Sequence, residues 1–415
     1  MANNLKKRII YVENGIGYGG AIICLRHLIR NLDRSNYQAL VVTGRTGDEY
    51  ANIKNDAQWQ HIPDRHLDIV AAHQKIDPAI WPDKVPGLRF VINQILARSD
   101  DLANFLPFFI HLLWTTWRFK ADLIHANNEP LCNRAALLVG NLLKIPTIAH
   151  VRGGQQGSHL MRWSFGLVDH FIPVSHWVAA SIQSKLDIPA HKISVIYDGL
   201  ELGNLLPTTN GEPFRQHYQL KPNDFAVGLV GLLIAWKGQE LFLDAAVLLK
   251  ARIPNLKMLI IGGTPEDCAA YEQALKLRVQ QQGLGDMVIF TGHVSTMASV
   301  YCGLDVIVSA STSPEPLGTV VIESMTLARP LIGPNHGGAA EMMQHNVTGL
   351  LFEPKNAADL AEKIETFYRQ PNLRSELGKA ARKKALATFS IEEHVAQVQR
   401  VYENLLTNTT SGQKQ

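Results

Sequence analysis

Two periodicities take turns along the chain. Short runs of β-branched and other apolar residues, the pattern of strands covered on both faces, stand at residues 8–12, 39–44, 122–127, 146–151, 170–175 and 193–199. Most lead into segments with an apolar repeat of about 3.6 residues, the period of a helix with one buried face. After the first run, Ile22, Leu25, Leu28, Ile29 and Leu32 share such a face. A stretch at 202–218 with Pro207, Thr208, Thr209, Asn210, Gly211 and Pro213 interrupts the series and reads as a linker. The alternation then resumes, with strands at 225–231, 257–263, 288–292, 304–311, 328–334 and 348–354 and a helix at 241–251. Strands alternating with helices predict parallel sheets, so the fold class is α/β with two Rossmann-like halves, one over 1–203 and one over 204–389. A last helix from about Ile391 to Leu406 carries Val395, Val398, Val401 and Leu405 as a stripe, and a tail at 409–415 is expected to fray.

Composition narrows the function. With 415 residues, 46% of them hydrophobic and 19% charged, the chain can bury two cores, which excludes a single small module and a largely disordered chain. Forty Lys and Arg against 37 Asp and Glu leave a formal charge of +3, too even for a dedicated nucleic-acid binder, so any anion site is local. Cys24, Cys132, Cys268 and Cys302 form no CxxC pair, which argues against a disulfide framework and a structural zinc site. Lys6, Lys7 and Arg8 precede only a few apolar residues, and the uncharged stretch 102–117 falls short of the roughly 20 residues of a spanning helix. The expectation is a cytoplasmic protein.

The glycines Gly15, Gly17, Gly19 and Gly20 follow the first strand and precede a helix. They read either as a tight turn or as a place where backbone N–H groups approach an anion. A dinucleotide site would want a carboxylate at the end of the second strand, and none occurs before Asp48. More specific is the segment from Ser309 to Glu341, where Glu315 is expected at a strand end and Glu323 inside the next helix. Between them Leu317, Gly318, Thr319 and Val320 would form a first helical turn that favours phosphate, flanked by carboxylates able to accept bonds from sugar hydroxyls. Glu323 reads as a solvated helical residue or, from its neighbours Val320, Val321, Ile322 and Met325, as part of a buried face.

This segment, with Gly337, Gly338 and Glu341 and the run TGLLFEP, resembles the nucleotide-sugar domain of glycosyltransferase family 4. VGLLIAWKGQELFLDAA, ISVIYDGLE, GGAIICLRHL, DLIHANN and IPVSHWVAASI resemble further family segments in the same order, so the likeness covers nearly the whole chain. The resemblance implies a GT-B fold of two Rossmann domains, with the donor mainly on the second and the last helix, 390–408, crossing back to the first. It implies that Glu315 contacts donor-sugar hydroxyls, Glu323 the ribose and Lys237 the pyrophosphate. Gly19 and Gly20 would close on the pyrophosphate, and the base would lie against Gly292, His293 and Val294. It also implies a retaining reaction with no metal ligand, no cofactor and no protein nucleophile, the leaving phosphate oxygen taking the acceptor proton.

Two positions depart from the family pattern. Leu232 stands where an arginine usually pairs with the lysine, so one cation is missing beside the leaving group, a loss on the order of 10²-fold unless another cation substitutes. Arg152, in AHVRGG, occupies the place where many members carry a histidine, and reads as that substitute or as an ordinary surface arginine. His125 and His150, at strand ends, read as site residues or as buried structural histidines. No HExxH or convincing DxD occurs.

The expected function is retaining transfer of a sugar from a nucleotide diphosphate sugar to a hydroxyl of a glycan or lipid-linked acceptor, in bacterial surface polysaccharide assembly. The competing readings are a nucleotide-sugar epimerase of the same architecture and an inactive nucleotide-sugar-binding partner subunit. Residues 85–119 hold more apolar surface than one crossover helix buries, with Arg89, Arg98, Arg118 and Lys120 around it. The segment packs on the first sheet or, over Val85 to Leu106, docks on anionic membrane, which would make the protein peripheral.

Overall fold

The computed structural model describes residues 6–15, 19–64, 101–128, 130–154 and 159–412. Residues 85–100 of the expected membrane segment, and Gly17 of the glycine cluster, lie outside these. The chain forms two compact units, one of residues 1–174, 178–196 and 395–415, the other of 175–177 and 197–394.

In the first unit six parallel strands, β1 (Lys7–Glu13), β2 (Tyr37–Thr43), β3 (Gln58–His61), β4 (Leu123–Asn127), β5 (Thr147–Val151) and β6 (His170–Pro173), lie in the order β3-β2-β1-β4-β5-β6. Their apolar runs are buried throughout: Ile9, Ile10, Tyr11 and Val12 are solvent-inaccessible, as expected of strands covered by helices on both faces. The run 193–199 is not a strand. Ser194 and Ile196 donate backbone bonds to Phe171 and Pro173 (3.0 and 3.1 Å), and only Ile193 forms a bridge, before the chain enters the second unit at Tyr197. Conversely β3, QWQH, escapes the apolar pattern because it is an edge strand paired only with β2.

The second unit repeats the plan with β7 (Phe225–Val230), β8 (Leu256–Ile261), β9 (Val288–Gly292), β10 (Val306–Val308), β11 (Leu331–Pro334) and β12 (Leu350–Phe352), ordered β12-β11-β10-β7-β8-β9 and all parallel. The stretch expected to be a linker is packed: its helix Glu212–His217 buries Phe214, and a Cβ on Gly211 would meet the Cys302 backbone at 2.4 Å. The turn residues that looked like a break are there because two backbones approach closely. The last helix runs Ile391–Gly412, past Leu406, where the sequence turns polar and its apolar stripe ends.

In each sheet the strand order reverses beside the unit's first strand, between β1 and β4 and between β7 and β10. The crevice beyond the C-terminal strand ends at such a point is where open α/β sheets bind ligands.

Candidate functional site

At the β7/β10 crossover two loops are locked together. After β7 the chain makes a 3-10 turn, Ala235–Lys237, and Gly238 takes φ +81°, a left-handed conformation that glycine adopts without strain. A Cβ there would stand 2.0 Å from the Ala310 carbonyl oxygen in the loop after β10. Thr312 N–H donates to the Trp236 carbonyl (2.8 Å) across the same gap. This approach brings Lys237 Nζ to 2.8 Å from Glu315 Oε1, both side chains partly accessible to solvent, with the ammonium 4.5 Å over the Trp236 ring. Ser311 Oγ donates to the same carboxylate oxygen.

Glu315 is not at a strand end. β10 stops at Val308, and Glu315 lies in the loop leading to the helix Thr319–Thr326. That loop is held from behind: Gly338 N–H donates to the Glu315 carbonyl (2.8 Å), and His336 Nε2–H donates to that of Ser311 (2.9 Å). Gly337, at φ +59°, could carry no Cβ, which would fall 2.8 Å from the Glu315 backbone. The paired glycines therefore fix the position of Glu315. Gly318 is the N-cap of the helix, its first residue Thr319 is exposed, and Leu317 and Val320 are half-buried.

Glu323, one turn further, is held apart from this pair. Its carboxylate accepts the Tyr301 hydroxyl at 2.5 Å, and burial holds its pKa above the ordinary carboxylate value. Glu323 is half-buried beside the buried Val321, Ile322 and Met325, so the freely solvated reading gives way to a carboxylate held by Tyr301. Gly292 ends β9 with φ +66°, His293 after it is exposed, and Val294 packs against the core. Leu232, in the loop after β7, points its side chain to solvent.

The β1/β4 crossover is built differently. Glu13 and Asn127 are register partners, and Asn127 Nδ2 donates to Glu13 Oε2. Glu13 Oε1 accepts the Gly15 N–H (2.8 Å), and Asn127 Oδ1 accepts from Arg152. Arg152, just after β5, thus reaches a buried carboxylate through one amide. Burial raises the pKa of Glu13, against the lowering effect of Asn127, Gly15 and Arg152. Gly19 caps the helix Gly20–Arg30, and a Cβ on Gly19 or Gly20 would meet nothing within 4 Å. Glu13 lies in no recognisable motif, and Asn127 lies in DLIHANN, where nothing singles it out. A carboxylate ending β1 and an amide ending the strand beside it would have been the signal, had strand adjacency been known.

His125 and His150 are buried and structural. His125 Nε2 lies 3.2 Å from His150 Nδ1, and His125 Nδ1 lies 2.7 Å from the Tyr402 hydroxyl, itself 3.2 Å from that of Tyr11. This network ties the last helix to the first sheet. Among the described residues no group of three or more His, Cys, Asp or Glu side chains is placed to hold a metal ion.

Two family models match the chain, Glycosyltransferase Family 4 over residues 18–203 and Glycosyl transferases group 1 over residues 211–384. The human alpha-1,3/1,6-mannosyltransferase ALG2 is 33% identical over 184 residues, 41% of this chain and 43% of that one. The Rhizobium meliloti lipopolysaccharide core biosynthesis mannosyltransferase LpsB is 26% identical over 65% of this chain and 76% of its own. Among solved structures, HepE from Anabaena in complex with UDP superposes with a TM-score of 0.77 over 96% of this chain and 100% of its own, at 20% identity. With one model on each unit and a fold shared along nearly its full length, the chain belongs to the group 1, family 4 glycosyltransferases of GT-B fold.

Proposed function

We propose that the protein moves a sugar from a nucleoside diphosphate sugar to a hydroxyl of a glycan or lipid-linked glycan, with retention at the anomeric carbon, in the assembly of surface polysaccharide. The observation that carries this reading is the Lys237–Glu315 pair at the β7/β10 crossover, beside the N-terminus of Thr319–Thr326. Lys237 and the free N–H groups of that helix are suited to the diphosphate, and Glu315 to hydroxyls of the sugar. Glu323 would take the ribose hydroxyls, and the turn at Gly292, His293 and Val294 the base. Arg152, Gly19 and Gly20 would add phosphate contacts.

In this reaction the bond from the anomeric carbon to the β-phosphate oxygen breaks and the acceptor oxygen bonds to the same face of the sugar. The acceptor proton passes to the leaving phosphate oxygen, so no protein base is required. Cations preorganised around that phosphate lower the barrier because negative charge develops there. No cofactor or metal takes part in this scheme. HepE was solved with UDP and with UDP-glucose, and the Rhizobium relative is named for lipopolysaccharide core synthesis, which makes uridine nucleotides and a surface glycan the first pair to test.

The test is a panel of UDP- and GDP-sugars with oligosaccharide acceptors, followed by proton NMR of the product. Transfer with the donor's anomeric configuration supports the proposal. An inverted product contradicts retention, and an epimerised nucleotide sugar formed without acceptor contradicts transfer.

A further inference from the structure

The helix Leu106–Phe119 in the first unit is apolar on two opposite faces. One is accounted for, with Phe108 and Leu112 fully buried beside Thr115 and Thr116. On the other, Leu106, Ile110, Trp114 and Trp117 are 42, 53, 51 and 66% exposed. At about 100° per residue these four fall within a sector of about 80°. Leu102, in the π-helical turn Asp101–Phe105 that leads into the helix, is 68% exposed. An aligned apolar face of this kind marks an interaction surface, whereas scattered exposed residues would not.

The charges around it select the partner. No Asp or Glu occurs between Leu102 and Lys120, and the two cations, Arg118 and Lys120, stand at the C-terminal end. Arg118 lies 5.0 Å over the Trp114 ring. Beside them opens a cavity of about 470 Å³ lined by Trp117, Arg118, Lys120, Ala121, Leu143 and Ile145. Apolar walls with two cations suit a lipid phosphate and the top of its acyl chain.

We infer that this face docks on an anionic lipid bilayer, with Leu106 and Ile110 in the acyl boundary, Trp114 and Trp117 at headgroup level, and Arg118 and Lys120 on lipid phosphates. The helix lies in the surface: at 14 residues it is too short to span, and no helix among the described residues is long and apolar enough to cross a membrane. The docking face therefore begins about where the segment Val85 to Leu106, expected from the sequence, ends. The surface stands apart from the sugar-transfer reading, because vesicle binding needs neither donor nor acceptor.

The experiment is co-sedimentation of the full chain with vesicles of phosphatidylglycerol and phosphatidylcholine in equal parts, at low and high salt, with circular dichroism confirming that each variant is folded. Wild type should sediment and show a blue shift of tryptophan emission. Ile110→Ser with Trp114→Ser and Trp117→Ser should weaken binding at least about tenfold. Arg118→Ala and Lys120→Ala should each weaken it about fivefold at low salt. Absence of binding, equal binding to phosphatidylcholine alone, or binding unchanged in the triple variant would overturn the inference. So would a dimer in solution that the triple variant dissociates, showing the face to be covered by a second copy. Emission unmoved by vesicles would also overturn it, pointing to cover by residues 65–100.

Discussion

The two crossover points of this protein have the same topology and opposite chemistry. At β7/β10 the cation and the carboxylate touch, Lys237 to Glu315 at 2.8 Å, and both keep a share of solvent. At β1/β4 the carboxylate, Glu13, is buried and bonded to an amide and a backbone N–H, while the cation, Arg152, stands one amide away on Asn127. Because both groups of the Lys237–Glu315 pair still reach solvent, a polar ligand can take the place of either partner without leaving a fully desolvated charge. A buried carboxylate cannot leave its donors without a desolvated charge remaining behind. The fold thus supplies a ligand crevice twice. Side-chain burial leaves the pair at one partly open to solvent, as the proposed donor site requires, and at the other fixes a carboxylate and an amide beneath a cation.

The largest effect that separates the two is expected at Lys237. Lys237→Ala should lower turnover on the order of 10²- to 10³-fold and weaken nucleotide binding, because in the proposed reaction the ammonium would face the leaving diphosphate in ground and transition states alike. Steady-state kinetics with calorimetry of UDP binding checks both. Arg152→Ala should lower kcat about 10²-fold and leave affinity for free UDP almost unchanged if, as proposed, its phosphate contact belongs to the transition state. Wild-type turnover in that variant would remove Arg152 from the reaction. Glu13→Gln should give a smaller loss, about tenfold, because the amide cannot satisfy both Gly15 N–H and Asn127 Nδ2. In a double-mutant cycle its effect should largely vanish when Arg152 is already alanine, which separates support of the cation from general damage to the fold.

Why these residues differ in legibility follows from distance along the chain. Lys237, Glu315 and Glu323 belong to runs whose resemblance could be read locally, and the alternating apolar runs announced eleven of the twelve strands. Glu13 meets Asn127 only because β1 and β4 are neighbours in a sheet whose order no local pattern declares. Tyr301 on Glu323 and Ser311 on Glu315 are likewise set by packing. The run 193–199 resembles a strand because it is extended and apolar, yet only Ile193 forms a bridge, and 202–218 resembles a linker because close backbone approach selects the same small residues as a flexible linker does. Glu315 lies further from its strand than the run LDVIVSAS suggests, because only Val306–Val308 pair and the loop begins at Ser309.

Two finer effects sharpen the contrast. Leu232 is exposed in the β7 loop, so Leu232→Arg adds a cation without displacing core and should tighten UDP binding about two- to tenfold. If affinity does not change, the loop does not border the diphosphate. The smallest effect is one of pH. Burial raises the folded pKa of Glu323 above the ordinary value of 4.5, so its contribution to stability is complete below that pH and is lost as pH rises through the folded value. Glu323→Gln can keep the Tyr301 bond without titrating. Its melting temperature should therefore gain on wild type as pH rises above 4.5, and a pH-independent difference would contradict the burial argument.

The central claim, that the Lys237–Glu315 pair divides a donor between its diphosphate and its sugar, is tested most directly by calorimetry of UDP and kinetics with the accepted UDP-sugar in Lys237→Ala and Glu315→Ala. The account predicts that Lys237→Ala loses affinity for UDP, while Glu315→Ala binds UDP nearly as wild type and loses turnover of the UDP-sugar. Equal loss of UDP affinity in both variants would contradict it.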